Sequence, residues 1–289
     1  MIARHLDVVH RTLGTLPPFS GIFLASSFSC SQAESTPTRL PVTQTVGAAV
    51  SIQNEVSVMN LHGTNVVILG GSSGMGLATA KLVKEQGANV TIASRSGEKL
   101  QHAARQIGDV RAIVADITSE SDVQEIFRDL DRVDHVFISA GRMFEGKVLE
   151  VNLETLRSDV DQRFWGPLYV VRNAAPKMRQ GSITFLTGSY ASRPAVGSVV
   201  TAALLAAVET LTKGLALELA PIRVNAIAPG LIRTPLLGED IEEADKWAES
   251  LPVGRIGLAE EVAQAVALLM TNDFITGEVL HIDGGGRLI

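Results

Sequence analysis

The sequence predicts an α/β protein with one doubly wound parallel sheet of about seven strands and helices on both faces. From residue 61 onward, short apolar segments alternate with helical segments of about ten residues or more. The apolar segments are hydrophobic at almost every position, which is typical of strands buried on both faces of a parallel sheet. A glycine-rich turn follows the first strand and leads into a helix. Right-handed crossovers between such strands place helices on both faces.

The elements follow from these patterns in chain order. The first strand is the apolar run V-V-I-L, and N-V-T-I-A and H-V-F-I-S are later strands of the same kind. Two helical segments are long: residues 153–178, which contain Gly166-Pro167, and residues 199–219, which are apolar nearly all round and are expected to be buried on both faces. The predicted strands span residues 66–69, 89–93, 110–115, 135–139, 182–186, 223–227 and 278–282, and the predicted helices span residues 78–86, 97–106, 121–130, 153–178 and 199–219.

The glycine-rich turn predicts a Rossmann-type dinucleotide site. Glycine allows the sharp turn and lets phosphate approach the backbone. The N–H groups and dipole of the following helix then hold the pyrophosphate. The residues expected to line this phosphate site are Gly70, Ser72, Ser73, Gly74, Met75 and Gly76.

The end of the second strand indicates which dinucleotide binds. An NAD-binding protein places Asp or Glu there to hold the ribose hydroxyls. Here the strand ends with Ser94 and Arg95. Ser94 does not repel a phosphate, and Arg95 can bind one through charge-assisted hydrogen bonds, although a solvated surface arginine is also common. We therefore expect NADP(H).

The order of further motifs resembles the short-chain dehydrogenase/reductase family over residues 62–289. Asp116-Ile117 resembles the family's adenine-contacting pair, and Ser139-Ala140-Gly141 resembles its turn after the fourth strand. The segment 223–234 resembles the one that holds the nicotinamide, and 281–285 resembles the C-terminal signature. The additional cofactor residues that the resemblance implies are Asp116, Ile117, Ala140, Gly141, Pro229, Gly230, Ile232 and Thr234.

The resemblance fails at the catalytic positions. Family members use a Tyr, a Lys four residues later, an upstream Ser and an Asn in the preceding long helix. Aligned through 209–219, these positions fall on Thr201, Leu205, Gly188 and Arg163. Phe164-Trp165-Gly166 resembles a divergent branch of the family that lacks the same Tyr and Lys.

Other groups would then have to assist the chemistry. A threonine hydroxyl is too weak an acid to replace a phenol, and leucine carries no charge. Arg163 cannot act as a base, but it could polarise a carbonyl or hold a carboxylate, or it could pair with Asp159 or Asp161 on a helix surface. Tyr190 could supply a phenol or be a half-buried aromatic residue. The candidate catalytic residues are Arg163, Thr187, Ser189, Tyr190 and Thr201.

Three functions remain open. The first is an NADP(H)-dependent oxidoreductase that transfers a hydride to or from a small carbonyl or alcohol substrate at an atypical site. The second is a catalytically silent NADP(H)-binding regulatory or partner protein. The third is a non-redox isomerase or cyclase on the same scaffold.

Composition narrows the possible partners. The 289 residues carry a net charge of −6 and show no basic stripe, so nucleic-acid binding is not expected. A single cysteine and six scattered histidines give no metal-site spacing. The sequence has no uninterrupted apolar stretch of about 18 residues, so a membrane-spanning helix is not expected. The resemblance implies a homodimer or homotetramer through the two long helices and a substrate lid at 236–251.

Residues 1–58 differ from the predicted Rossmann domain, which spans residues 59–289. They are rich in Ser, Thr and Pro, contain no Lys and have little periodicity. They are interpreted as a disordered extension upstream of Met59, as a targeting segment or as a functional arm. A cytoplasmic location is expected, or an organelle if residues 1–58 are a transit peptide.

Overall fold

In the computed structural model, the described residues are 60–141, 144, 146–237 and 241–289. The predicted extension at 1–58 lies outside them. The strands are β1 (Asn65–Leu69), β2 (Asn89–Ser94), β3 (Arg111–Val114), β4 (His135–Ile138), β5 (Ser182–Leu186), β6 (Arg223–Pro229), β7 (Ile232–Arg233), β8 (Gly257–Leu258) and β9 (Val279–Ile282). The helices are α1 (Gly74–Glu85), α2 (Gly97–Ile107), α3 (Glu120–Arg128), α4 (Leu153–Val160), α5 (Gly166–Ala174), α6 (Val199–Glu218), α7 (Ile241–Ala248) and α8 (Ala259–Thr271).

The main sheet confirms the predicted fold class. Seven strands pair in parallel in the order β3-β2-β1-β4-β5-β6-β9, and β7 pairs with β8 separately. The chain runs outward from β1 to β3 and then returns to β4 on the other side of β1. Doubly wound sheets bind ligands beyond the carboxyl ends of their strands at this reversal point.

Each face of the sheet has its own apolar core. On one face, α3, α5 and α6 pack over fully buried side chains that include Phe127 and Phe185. On the other face, α1, α2 and α8 cover Ile92 and Leu269. Close packing on both faces fixes the strand ends relative to one another, and the site is built from those ends.

The predicted long helix at 153–178 contains a π-helical turn, Asp161–Trp165, between α4 and α5. Pro167 follows this turn and has no N–H to donate to the carbonyl of Arg163, so an α-helical hydrogen bond cannot form there. Gly166 is required because a Cβ at this position would lie 2.9 Å from the side chain of Ile117.

Helix α6 buries one of its faces within the single chain, and the prediction that both faces are buried, which the resemblance links to a second copy of the chain, stays a prediction. One face packs on the sheet through residues such as Leu205 and Leu215, whereas Leu217 is 83% exposed. By length and composition alone α6 could cross a membrane, which is weak evidence because a core helix meets the same criteria.

Two other helices differ from the sequence prediction. Helix α1 begins at Gly74, inside the glycine-rich turn, and not at residue 78. Helix α8 was not predicted at all, although Val262, Val266 and Leu269 recur at helical spacing and are buried.

Candidate active site

The glycine-rich turn forms an open cradle at the start of α1. Gly70 and Gly74 have φ angles of +87° and +54°, which favour glycine. A Cβ on Gly76 would overlap the carbonyl oxygen of Gly70. Ser73 occupies the N-cap position but makes no side-chain capping bond, so it does not cap the first-turn N–H groups. This cradle fits the pyrophosphate of a dinucleotide.

A cleft of about 270 Å³ extends over the cradle and the neighbouring strand ends. Every predicted cofactor residue lines this cleft except Pro229, Gly230 and Ile232. Pro229 pairs with Ile282 at the end of β6, and a Cβ on Gly230 would lie 2.8 Å from the Cα of Asp283. The cleft-lining residues beyond the predicted set are Ala93, Lys99, Ala115, Ser139, Gln162, Pro235 and Leu236.

One end of the cleft is formed by the ends of β2 and β3. The Ser72 hydroxyl donates to Ser94 Oγ at 2.8 Å. Arg95 Nη1 lies 4.0 Å from Asp116 Oδ2, and both side chains are partly exposed. Lys99 in the first turn of α2 lines the same end. Lys99 was not predicted from the sequence. Ser96 is the N-cap of α2 and indicates that a helix starts directly after Arg95, so Lys99 could have been assigned to its first turn at the same end of the cleft.

Asp116 is held in place by its neighbours. Its Oδ1 accepts hydrogen bonds from the backbone N–H and the hydroxyl of Thr118. Its own N–H donates to Asp122 Oδ2 at 3.0 Å. That bond and the hydrogen bond from Ser119 lower the pKa of Asp122, so this carboxylate stays ionised and fixes the loop after β3.

At the other end of the cleft, next to Gly141, Asp159 and Arg163 form a buried ion pair. Asp159 in the last turn of α4 accepts from Arg163 Nε at 2.8 Å. The Thr201 hydroxyl shares its proton between the Phe144 carbonyl at 2.9 Å and Asp159 Oδ2 at 3.1 Å. The predicted alternative of an ion pair for Arg163 is therefore correct, but the pair is buried and not on a helix surface. From the sequence, Asp159 is predicted only as one of two possible partners of Arg163.

The remaining catalytic candidates, Thr187, Ser189 and Tyr190, lie at the end of β5 and in the turn that follows it. The buried Thr187 hydroxyl lies 3.2 Å from the Leu205 carbonyl and 3.4 Å from Glu209 Oε1, so it bonds to α6. Ser189 and Tyr190 lie in a short 3₁₀ turn after β5 and are partly buried. Leu205 is buried, with its Cδ1 3.3 Å from where a Cβ on Gly188 would lie.

The predicted lid contains α7. Thr234, Pro235 and Leu236, which precede α7, line the cleft. Arg233 pairs with Asp245 of α7 at 2.6 Å, which joins α7 to β7. Among the described residues, no group of three or more His, Cys, Asp or Glu side chains is placed to hold a metal ion.

Comparison with known proteins identifies the family. The family model described as enoyl-(acyl carrier protein) reductase matches residues 70–286. A short-chain dehydrogenase/reductase of Stachybotrys chlorohalonatus is 32% identical over 250 residues, which cover 79% of this chain and 98% of the relative. The chain belongs to the short-chain dehydrogenase/reductase family. It is thus a member of an oxidoreductase family.

Two solved structures of the short-chain dehydrogenase/reductase family are informative. A small-chain dehydrogenase in complex with NADPH is 35% identical, with a TM-score of 0.68, and the match covers 78% of this chain and 100% of that one. The MalC reductase/Diels-Alderase of Malbranchea aurantiaca is 30% identical, with a TM-score of 0.74, over 79% of this chain and 98% of that one.

Proposed function

We propose that this chain is an NADP(H)-dependent oxidoreductase that transfers a hydride to or from a small carbonyl or alcohol substrate at an atypical site. The observation that carries the proposal is the β2 end of the cleft. Two cationic side chains, Arg95 and Lys99, line it, and Ser94 stands where an NAD-binding protein has an acid. The family membership supports a nicotinamide cofactor, and the relative solved with NADPH supports the choice of NADP(H).

The chain's residues would hold the cofactor in a defined order. The glycine cradle and the start of α1 would bind the pyrophosphate, and Arg95 and Lys99, which line the β2 end of the cleft, would bind the 2′-phosphate by charge-assisted hydrogen bonds. Asp116, fixed by Thr118, lies where the family contacts adenine. When bound, the nicotinamide supplies or accepts the hydride.

The site is proposed to be atypical because Thr201 and Leu205 occupy the Tyr and Lys positions. The Thr201 proton is already directed to Phe144 and Asp159 within the fold. Leu205 is buried and offers no charge to lower the pKa of a neighbour. Arg163 is the cationic side chain of this cluster that could polarise a substrate oxygen, and a guanidinium is not a general acid or base in proteins. The proton required for alcohol formation would therefore come from another group or from water.

Cofactor titration tests this function. We expect NADPH to bind at least about tenfold more tightly than NADH, a difference of about 1.4 kcal/mol. Arg95→Ala should abolish the preference and Lys99→Ala should reduce it, because each removes a cation from the β2 end of the cleft. Arg105→Ala, which removes the same charge from the exposed last turn of α2, is the matched control and should keep the parent ratio. Equal affinity of the parent protein for NADPH and NADH would refute the proposal.

Two other functions remain proposals. A silent NADP(H)-binding protein is favoured by the Thr201 hydroxyl, which is engaged within the fold. A non-redox cyclase is favoured by the similarity to a protein described as a reductase/Diels-Alderase.

A homodimer or homotetramer is also proposed. Exposed apolar side chains such as Trp165 and Leu217, which lie on the two long helical segments, support this assembly.

A further inference from the structure

Asp159 and Arg163 form an ion pair, and the proposed reaction uses neither of these two charged side chains as an acid or base. The side chain of Asp159 is 4% exposed and that of Arg163 is 13% exposed. One carboxylate oxygen is held by Arg163, and the Thr201 hydroxyl lies within hydrogen-bond distance of the other. Water and salt screen buried charges much less than surface charges, so each member of the pair acts over a longer distance.

The pair lies at the end of the cleft opposite the predicted 2′-phosphate site. Arg163 Nη1 is 3.7 Å from the position of a Cβ on Gly141, and Gly141 lines the cleft in the turn after β4. Gln162, the chain neighbour of Arg163, also lines it. In the sheet, β4 lies on one side of β1 and β2 on the other. A dinucleotide with its pyrophosphate at α1 and its adenosine beside β2 would have its nicotinamide on the β4 side.

The two redox forms of a nicotinamide cofactor differ in charge at this end. The oxidised ring carries one positive charge, which the reduced ring lacks after it has accepted a hydride. We propose that the Asp159–Arg163 pair sets the relative affinity of the cleft for the two forms. Asp159 favours the oxidised form, and Arg163 favours the reduced form. The inference rests on the proposed function, because it requires that the dinucleotide is NADP(H).

Opposite shifts in two single variants test this inference without any turnover. The measured quantity is the ratio of the Kd of NADP⁺ to that of NADPH. Asp159→Asn removes one negative charge beside Arg163, so the ratio should rise about fivefold or more. Arg163→Gln leaves the Asp159 charge unopposed, so the ratio should fall by about the same factor. For a two-electron couple, a fivefold change in the ratio corresponds to about 20 mV in the potential of the bound cofactor.

Three controls separate charge from general damage. Thr201→Val removes the hydrogen bond to Asp159 but no charge, so the ratio should stay within about twofold. Asp134→Asn removes a buried carboxylate that pairs with Arg132 before β4, away from the cleft, and should also leave the ratio unchanged. Adenosine 2′,5′-bisphosphate, which has no nicotinamide, should bind all variants equally.

The outcomes distinguish the inference from the proposed function. If the parent protein binds neither NADP⁺ nor NADPH, the proposed function fails and the inference fails with it. If the parent binds both but the two variants leave the ratio unchanged or shift it in the same direction, only the inference is overturned. If Asp159→Asn does not fold, Arg163→Gln decides alone, and a ratio that does not fall overturns the inference.

Discussion

At the scale of single residues, His135 is a buried histidine that links folding to pH. It begins β4, and its Nδ1 lies 3.0 Å from Ser182 Oγ. Burial, together with the positive charge of Arg223, lowers the pKa of His135 from 6.5 to about 4, and Asp134 opposes this only in part. The folded protein therefore keeps this imidazole neutral at pH values where the unfolded chain protonates it.

Stability should consequently decrease as the pH falls below about 6.5. Between pH 7 and pH 4.5, we expect His135 to contribute a loss of about 2–3 kcal/mol in the free energy of unfolding, because the unfolded chain gains a proton that the folded chain does not. The measurement is urea unfolding at both pH values. His135→Gln should flatten the pH dependence by this amount, whereas His62→Gln, at an exposed site, should leave it as in the parent. Equal slopes in the parent and His135→Gln would contradict this assignment.

The contacts of the catalytic candidates could be predicted only in part from the spacing of residues in the sequence. The four-residue spacing of Asp159 and Arg163 predicts an ion pair on one helix face, and the structure has that pair. The sequence could not show that the pair is buried, because its burial depends on α6, which contributes Thr201 from 42 residues away in the chain. Ser94 and Arg95 were easier to predict, since their position follows directly from the end of a strand.

At the scale of elements, the start of α1 determines whether phosphate can approach the backbone. Gly76→Ala places a methyl group against the Gly70 carbonyl, which cannot move without distorting the turn. We expect a loss of about 1–3 kcal/mol in stability and at least about tenfold weaker NADPH binding. Urea unfolding and NADPH titration measure the two effects.

A second helical glycine provides the matched control. A Cβ on Gly214 in α6 would have no neighbour within 4 Å. Gly214→Ala should therefore stabilise the protein by about 0.5–1 kcal/mol and leave NADPH binding unchanged. If both substitutions have the same effect on stability and binding, the account of the cradle is wrong.

The elements that sequence reasoning missed have physical explanations. Helix α8 lies between the predicted lid at 236–251 and the last predicted strand, where no element was predicted, although Glu260 and Glu261 mark a helix start. Glu261 accepts hydrogen bonds from Arg255 and from the Leu258 N–H, which lower its pKa to about 2 and stabilise this start. The π turn before Gly166 could not be predicted, because proline allows either a kink or a wider turn.

At the scale of the whole molecule, the sheet was the most predictable feature. Its buried strands are short apolar runs, and right-handed crossovers leave few possible strand orders. The two ends of the cleft differ in how far the sequence predicts them. The β2 end follows from local sequence, whereas the end beside Gly141 combines α4, the π turn and α6. We propose that this molecule binds NADP(H) at the β2 end and acts on carbonyls at the other end without the usual tyrosine.

The decisive measurement for this proposal is steady-state oxidation of NADPH across a panel of ketones, aldehydes and keto acids. We predict slow turnover of simple ketones, because the loss of tyrosine-type proton transfer costs about 10²–10⁴ in rate. Since Thr201 does not supply this proton transfer, Thr201→Ala should change kcat by less than about threefold. Arg163→Ala should lower kcat more, because Arg163 could polarise a carbonyl or hold the carboxylate of a keto acid. Rapid turnover of simple ketones that collapses in Thr201→Ala would contradict the account. Tight NADPH binding with no turnover of any carbonyl would also contradict it, and would identify the chain as the silent binding protein.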